Sequence, residues 1–447
     1  MIKVIIPNNN IEERKYILDV FFNDFLGLDY YLEINNSYFE SWELILENNT
    51  KIIFRDHFFN KYLLELQYLN SGNIPLKIKF LKNQYIVEDN IPVIYGNDDL
   101  IVSETCIICG IDIFASSFFM LTRWEEYVNK TYDKHKRFSA RESLAFKNNF
   151  LDRPVVNEYI EMLKKMLISL DNNLLFKKHT FQYIFTHDVD HIEKWDTLKK
   201  FCRHLMGDLI KRKSVKEFSK SIVYFIKVRL KIKNDPYDTF DYLMSLSEKL
   251  ESKSYFFFMA KGLTNFDNRY KINDKKVIDL VNKIKKRKHW IGIHPTYNAY
   301  NNFEQLKSEI IDLEEQFDIN VSFGRNHYLR FEVPTTWQIW DDNKLMWDST
   351  CGYADKEGFR CGVCYEYSVF NIISRKKLYL REKPLIVMDG TLQSQKEMNK
   401  FKMQENILKL IKKVKYYDGE FVILWHNSSF NISEWINYNK VYEEVLI

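Results

Sequence analysis

The sequence predicts an α/β protein, with a (β/α) barrel of seven parallel strands in the C-terminal part and a smaller α+β domain before it. The length of 447 residues is about twice that of a typical domain, so two domains are expected. From residue 180 onward, short apolar runs alternate with Lys/Glu-rich helical segments, and each run ends in polar residues. Such alternation is typical of a parallel sheet. We therefore predict domains at 1–175 and 176–447.

The N-terminal domain mixes strand-like and helical patterns. Its clearest helix is 111–130, in which apolar residues recur at helical spacing, and a second amphipathic helix covers 154–170. Three short segments read as strands: Lys3–Ile6, Leu76–Phe80 and Gln84–Val87. No candidate site stands out in this domain, and its role is open.

Seven apolar runs define the predicted barrel strands, at 181–191, 254–262, 289–298, 319–330, 345–353, 384–392 and 421–430. Helical segments separate most of these runs, including 275–288, 303–316 and 396–415. Seven strands suit a closed or nearly closed barrel better than an open sheet. In such barrels the functional residues collect at the carboxyl ends of the strands. Polar residues spread over about 240 positions are therefore expected to converge.

The composition is that of a globular protein, with 46% hydrophobic and 28% charged residues. The net charge of +4 is small, and the densest basic runs, 210–233 and 284–288, are interpreted as solvated helix faces. No nucleic-acid partner is therefore predicted. Six cysteines do not suggest a disulfide framework, no signal-peptide pattern is evident, and no run of about 20 apolar residues occurs. We expect a cytoplasmic protein without a membrane span; its oligomeric state is open.

The first barrel run ends in FTHDVDH, which contains two aspartates one residue apart. Because side chains alternate along a strand, Asp188 and Asp190 should face the same way. Two adjacent carboxylates suit a site in which a cation neutralises one and the other remains a base. The alternative is a turn in which the aspartates cap the next helix.

The third run ends at His294. A lone histidine in this position is more often a hydrogen-bonded core residue than a ligand, so its candidacy depends on the other strand ends. Asn298 lies four residues later and reaches the same point if the chain turns helical after Pro295. Its side-chain oxygen is an acceptable metal donor, although a poor one for zinc.

The fourth run supplies Arg325, His327 and Arg330. In a regular strand Arg325 and His327 share a face. An arginine beside a catalytic carboxylate would orient it and keep it ionised, and either arginine is a candidate for this role. A structural ion pair is an equally good interpretation of each arginine taken alone.

The last two runs end at Asp389 and His426. A histidine titrates near neutral pH, so His426 is a natural proton donor to a leaving amine or alkoxide. Asp389 is placed to orient a neighbouring histidine or to touch a metal ligand. Asp348, at the end of the fifth run, is a weaker candidate because an aspartate there is often a helix cap.

Taken together, these strand ends resemble the motifs of the polysaccharide deacetylases of carbohydrate esterase family 4, which share the NodB-homology domain. The resemblance covers about residues 180–447. Four family motifs have counterparts in this sequence. The motif T-F-D-D resembles Thr186-His187-Asp188, and H-[ST]-x-x-H resembles His294-Pro-Thr-Tyr-Asn298. The motif R-x-P resembles Arg325-Asn326-His327, and L-x-H resembles Leu424-Trp425-His426. The whole chain also looks like uncharacterised members with an extra N-terminal domain, which carry phrases such as DIFASSFFMLTRWEEY, THDVD and GFRCG.

The resemblance implies a distorted seven-stranded barrel and a metal-dependent hydrolase that removes an acetyl group from an N- or O-acetylated sugar. The family's metal-binding aspartate would fall on Val189, so Asp190 is expected to take that role. His327 would replace the second histidine of the H-[ST]-x-x-H motif, with Asn298 as the other candidate ligand. The resemblance implies a divalent ion, zinc or a close relative, bound by Asp190, His294 and His327. Asp188 would be the base, held by Arg325 or Arg330, and His426 would be the acid.

Two other functions are compatible with the sequence. A non-catalytic carbohydrate-binding barrel could have lost its metal with the second histidine. A phosphoesterase on a similar barrel would require a second metal and more carboxylates than the strand ends supply. Aromatic residues near the strand ends are interpreted as a sugar platform or as barrel core: Tyr297, Tyr328, Trp337 and Trp425.

Overall fold

A computed structural model describes residues 1–37, 40–195, 197–210, 212–267, 270–396 and 398–447. Within these residues the strands form a six-stranded sheet, a nine-stranded sheet and a two-stranded ribbon. All strands of the first sheet lie before residue 112, and all strands of the second lie after residue 181. One hydrophobic core runs through both parts.

The described residues of the N-terminal part form eight strands: β1 (Ile2–Pro7), β2 (Tyr30–Asn35), β3 (Ser41–Ile45), β4 (Lys51–Arg55), β5 (Lys79–Leu81), β6 (Ile91–Val93), β7 (Gly96–Val102) and β8 (Cys106–Ile111). The mixed sheet has the order β2-β1-β3-β4-β8-β7, and β5 and β6 form the ribbon. Its helices are α1 (Ile11–Asp19), α2 (Ile113–Thr122), α3 (Trp124–Val128), α4 (Leu144–Lys147) and α5 (Val155–Leu170). A π-helical segment, Val20–Leu26, continues α1.

Two N-terminal predictions are corrected by the structure. The helix expected at 111–130 breaks at Arg123, whose φ of 54° is left-handed, and its buried guanidinium bonds to Glu125 and Glu126. The segment Gln84–Val87 is not a strand; the Asn83 side chain accepts a hydrogen bond from the backbone N–H of Tyr85, which stabilises a turn there. The expected strand Leu76–Phe80 overlaps β5 only in part.

Nine strands lie in the portion of the C-terminal part that the structure describes: β9 (Gln182–Val189), β10 (Ser254–Phe258), β11 (Trp290–Ile293), β12 (Phe323–Gly324), β13 (Trp347–Asp348), β14 (Tyr367–Asn371), β15 (Lys376–Glu382), β16 (Val387–Met388) and β17 (Glu420–Leu424). Its helices are α6 (Leu198–Ile210), α7 (Val215–Arg229), α8 (Phe240–Lys249), α9 (Lys275–Lys286), α10 (Phe303–Phe317), α11 (Thr335–Asp342), α12 (Asp389–Ser394), α13 (Lys400–Tyr416) and α14 (Val441–Glu444). None of these described helices, nor any in the N-terminal part, is both long enough and apolar enough to span a bilayer.

The C-terminal sheet confirms the parallel α/β class but not the seven-stranded barrel. Its order is β14-β15-β13-β12-β11-β10-β9-β17-β16, in which eight strands are parallel and β14 is antiparallel to β15. Each of the seven predicted runs contains one parallel strand. The hairpin β14–β15 was not predicted, because a hairpin lacks the intervening helix that marked the other strands. No ladder joins the two ends of the sheet among the described residues, so no closed barrel forms.

The sheet is nevertheless strongly curved. The end of β15, at Glu382, is only five residues from the start of β16, at Val387, although these strands lie near opposite ends of the strand order. Five residues of extended chain span at most about 18 Å. The two sides of the sheet therefore approach each other, and the carboxyl ends of the strands surround a common space.

Candidate metal centre and surrounding cavity

The alternation of β9 separates its polar side chains onto two faces. His187 points into the protein, where its Nδ1 lies 2.7 Å from the carbonyl oxygen of Trp425 and its Nε2 lies 3.3 Å from Ser254 Oγ. Burial lowers the pKa of His187 to about 4, so this ring is a neutral structural residue. Asp188 and Asp190, by contrast, both line the cavity at the carboxyl end of the sheet.

Asp190, His294 and His327 form a cluster at this cavity. One potential ligand atom from each residue lies within 4.8 Å of the others. The Nε2 atoms of His294 and His327 lie 3.4 Å and 3.6 Å from Asp190 Oδ1. This oxygen is buried and has no hydrogen-bond partner among the described residues. The sequence motifs therefore converge as expected, although they lie on three different strand ends.

Contacts behind the two histidines direct their Nε2 atoms toward Asp190. His294 Nδ1 lies 2.6 Å from the carbonyl oxygen of Arg325, so this nitrogen donates a hydrogen bond. His327 Nδ1 lies 3.4 Å from Asp267 Oδ1, and the same carboxylate accepts hydrogen bonds from the backbone N–H groups of Tyr297 and Thr264. Partners of this kind set the tautomer and orientation of metal-binding histidines.

Asp267 was missed by the sequence analysis. It lies in the loop after β10, nine residues beyond the end of that strand, and belongs to no apolar run. Periodicity therefore carries no signal for it. Its function depends on the path of the loop, which brings it behind His327.

The donor set of the cluster fits a divalent cation. Two imidazole nitrogens and one carboxylate oxygen suit zinc and related ions. Burial opposes ionisation of Asp190, but His294, His327 and His426 hold the pKa of its carboxyl well below the usual range. Burial likewise lowers the pKa of His327, which favours the neutral imidazole that binds metals. The unpartnered Asp190 Oδ1 is the atom that a bound cation would satisfy.

Asn298 and Arg330 are placed apart from this cluster. Asn298 is exposed, and its Oδ1 accepts a hydrogen bond of 3.1 Å from Arg330 Nη1. Arg330 also donates to the carbonyl oxygen of His135 and stacks on the rings of Tyr297 and Tyr300, each 4.0 Å away. Arg330 therefore joins the N-terminal part to the loops of the sheet, and the expectation that it holds Asp188 is corrected.

Arg325 is the arginine that contacts Asp188. Its Nη1 donates to Asp188 Oδ1 at 2.9 Å, while its Nε and Nη2 bond to the backbone and side chain of Ser349. Both charged groups are buried, with 0% and 3% of their side chains exposed. One oxygen of Asp188 is thereby fixed, and the other lies 3.7 Å from His294 Nε2, next to the cluster.

His426 and Asp389 form a second hydrogen-bonded pair on the other side of Asp190. His426 Nδ1 lies 2.7 Å from Asp389 Oδ1, and the backbone N–H of His426 donates to Oδ2 of the same carboxylate. Its Nε2 lies 3.8 Å from Asp190 Oδ2 and faces the cavity. Burial alone would lower the pKa of His426, but Asp389 and the two cavity aspartates raise it to about 10.

Three weaker sequence candidates lie outside the cavity. Asp348 is fully buried, and its Oδ1 accepts a hydrogen bond of 3.0 Å from the backbone N–H of Thr350. No helix begins there among the described residues, so Asp348 stabilises the loop after β13 and the helix-cap interpretation is corrected. Trp337 and Trp425 are also fully buried and belong to the core. Of the aromatic candidates only Tyr297 and Tyr328 remain near the opening.

The cavity has a volume of about 290 Å³ and is lined by residues from both parts of the chain. Its lining comprises Arg137, Asp188, Asp190, His191, Phe266, Asp267, His294, His327, Tyr328, Leu329, Met388, Gly390 and His426. The rings of Phe266 and Tyr297 stack at 4.4 Å, and Tyr328 packs edge-on against both. An aromatic surface therefore stands beside the charged cluster.

Arg137 is the contribution of the N-terminal part to this cavity, and the sequence analysis found no site there. Its Nη1 donates to the carbonyl oxygen of Tyr328 at 2.9 Å, and its Nε to Asp133. Tyr328 and Leu329 have left-handed φ values of 61° and 55°, which are costly for residues with side chains. Arg137 thus supports a strained loop beside His327.

Comparisons with known proteins identify similarities on both sides of residue 175. Residues 2–172 match the model of DUF7033, a family of unknown function. No curated protein matches the chain. A solved structure of a proposed polysaccharide deacetylase from Mycobacterium smegmatis is 13% identical, with 60% of this chain and 84% of that chain covered and a TM-score of 0.38. A mutant CE4-family pseudoenzyme with restored enzymatic activity is 11% identical, with 47% and 58% covered and a TM-score of 0.27.

Proposed function

We propose that this protein is a metal-dependent hydrolase that removes an acetyl group from an N- or O-acetylated saccharide. The observation that most supports this function is the spatial arrangement of charged side chains around one cavity. Asp190, His294 and His327 lie between Asp188, which is held by Arg325, and His426, which is held by Asp389. A nucleophile-activating base, a cation site and a proton donor are thus within reach of one small substrate group.

We propose that Asp190, His294 and His327 hold a divalent cation, zinc or a close relative. A cation there would supply the Lewis acidity that hydrolysis of an amide or ester requires. The two histidines are positioned by contacts that do not depend on a cation, namely Arg325 behind His294 and Asp267 behind His327.

Asp188 and His426 have the geometry for opposite proton transfers. Arg325 occupies one oxygen of Asp188, so the other is available to take a proton from the attacking water. Asp389 fixes Nδ1 of His426, so Nε2 is available to give a proton to the departing nitrogen or oxygen. Asp389 also stabilises the positively charged imidazolium, as a carboxylate does behind a catalytic histidine.

The saccharide class is suggested by the aromatic surface of Phe266, Tyr297 and Tyr328. Flat aromatic rings pack against the apolar faces of sugar rings, while the adjacent charged groups bond to hydroxyls. Phe266 is 46% exposed although it lies beside the cavity, so its ring is available to a ligand.

Metal analysis combined with an activity screen tests this function. The purified protein should contain about one divalent ion per chain, and it should hydrolyse 4-nitrophenyl acetate and at least one acetylated saccharide. Removal of the ion with a chelator should abolish both activities, and its return should restore them. Protein that binds acetylated saccharides without metal and without hydrolysis would establish the non-catalytic alternative.

A cytoplasmic location stays a prediction.

A further inference from the structure

A basic helical hairpin, formed by α6 and α7 and the residues up to 233, lies on the carboxyl side of the sheet. It begins eight residues after Asp190, and the connecting residue His191 lines the candidate cavity. Between residues 198 and 233 the sequence contains twelve Lys or Arg and two Asp or Glu, a net charge of +10. The whole chain carries +4, so the remaining residues carry −6. Positive charge is therefore concentrated in this hairpin.

The inner face of the basic hairpin is occupied by aromatic packing. The rings of Phe201 and Phe225 stack at 3.8 Å, and both pack edge-on against Trp195 at 5.7 Å and 5.9 Å. Arg229 donates a hydrogen bond to the carbonyl oxygen of Trp195. These contacts attach the hairpin to the loop after β9. The rings of Phe201 and Phe225 are therefore already occupied by packing within the protein.

The outer face carries an apolar stripe on each helix. On α6 the exposed residues Leu198, Cys202, Met206 and Leu209 recur at spacings of four, four and three. One side of α7 likewise carries the exposed residues Val215, Val223 and Ile226, and Leu230, directly after the helix, continues this side. Nine of the 34 exposed large hydrophobic residues among the described positions lie between 198 and 232. The interpretation of 210–233 as a purely solvated polar face is therefore incomplete.

Basic side chains flank these stripes. Lys199, Arg203, Lys216 and Lys227 each follow an apolar stripe residue by one position, about 100° around the helix. They make no ion pair with any of the described residues, whereas Lys220 pairs with Glu217 within α7. Exposed aliphatic residues bordered by lysines and arginines are typical of helices that lie in the interface of a membrane.

We propose that the basic hairpin docks on the surface of an anionic lipid bilayer. Its apolar stripes would enter the boundary between headgroups and acyl chains, and its lysines and arginines would contact anionic headgroups. Charge alone would also suit a nucleic acid, but single-stranded nucleic acids are bound through exposed aromatic rings, and here those rings face inward. A phosphate backbone would leave the aliphatic stripes exposed to water, whereas a bilayer would bury them. This inference does not depend on the proposed function.

Flotation of the full-length protein with lipid vesicles tests the proposal. The protein should float with phosphatidylcholine vesicles that contain about one third phosphatidylglycerol and should stay behind with pure phosphatidylcholine, since the attraction is to negative headgroups. High salt should weaken the binding. Replacing three lysines (Lys216→Gln, Lys220→Gln and Lys227→Gln) should lower the partition coefficient about 100-fold, because each contributes about a factor of five at such a surface.

A second variant, Val223→Ser with Ile226→Ser, tests the apolar stripe without changing charge and should lower partitioning at least about tenfold. A matched control is Phe401→Ser with Leu408→Ser on the lysine-rich α13, whose exposed apolar residues should not matter. Thermal unfolding of every variant checks that the fold is intact. Vesicle binding that survives both hairpin variants, binding to neither vesicle, or binding to RNA or DNA without binding to vesicles would each overturn the proposal.

Discussion

Arg325 and Asp188 form a buried ion pair that joins the fourth and first parallel strand ends of the C-terminal sheet. Arg325 Nη1 donates to Asp188 Oδ1 at 2.9 Å, and both side chains are almost inaccessible to solvent. Replacing Asp188 by asparagine should keep a hydrogen-bonding oxygen for Arg325 but remove the base. We expect kcat/KM for an acetylated saccharide to fall by about 10²–10⁴-fold with metal content retained.

The matched control for this change is Asp348→Asn, which alters another buried strand-end carboxylate outside the cavity. Its activity should stay close to that of the wild type when measured at equal folded fraction. An Asp188→Asn protein with full activity would contradict the assignment of the base.

The second prediction concerns the cation site. His294→Ala and His327→Ala should each lose bound metal, because two remaining protein donors hold a divalent ion weakly. Metal content measured by mass spectrometry should fall well below one ion per chain. His191→Ala, which alters a cavity-lining histidine outside the cluster, should retain the ion. Equal metal content in all three variants would exclude the cluster as the binding site.

The third prediction concerns Asp267, which contacts His327 but is not one of the three donors. Asp267→Asn should weaken metal affinity by about 10–100-fold, since the histidine loses the carboxylate that orients it. The measurement is competition with a metal-binding dye. Activity should return to near the wild-type value when the ion is supplied in excess, which distinguishes this residue from a ligand.

The fourth prediction separates the proton donor from the rest of the site. His426→Ala should impair hydrolysis of an N-acetylated saccharide far more than that of 4-nitrophenyl acetate, because nitrophenolate leaves without a proton. Asp389→Asn should show the same selectivity to a smaller degree, since it acts through His426. An equal loss on both substrates would argue that His426 has another role.

The fifth prediction concerns the contact between the N-terminal part and the strained loop. Arg137→Ala should release Tyr328 and raise KM for the saccharide, while metal content and hydrolysis of 4-nitrophenyl acetate change little. Arg141→Ala, an exposed arginine four residues later, is the control and should have no effect. The comparison is made by steady-state kinetics on both substrates.

Local sequence pattern determined the class of the fold and the positions of most strands of the C-terminal sheet. Apolar runs report which segments are buried, and their alternation with helices reports a parallel sheet, so all seven predicted runs contain a parallel strand. The period of two along a strand correctly placed Asp188 and Asp190 on the same face. These features depend on neighbours a few residues away, which the sequence displays directly.

Tertiary structure alone decided which side chains meet. The motifs left open whether Arg325 or Arg330 contacts Asp188, and whether His327 or Asn298 completes the cluster. The paths of the loops bring Arg325 and His327 inward and direct Arg330 toward His135. Asp267 and Arg137 enter the site from segments without any periodic signal. Loop paths result from packing between distant elements, and no local spacing in the chain encodes that packing.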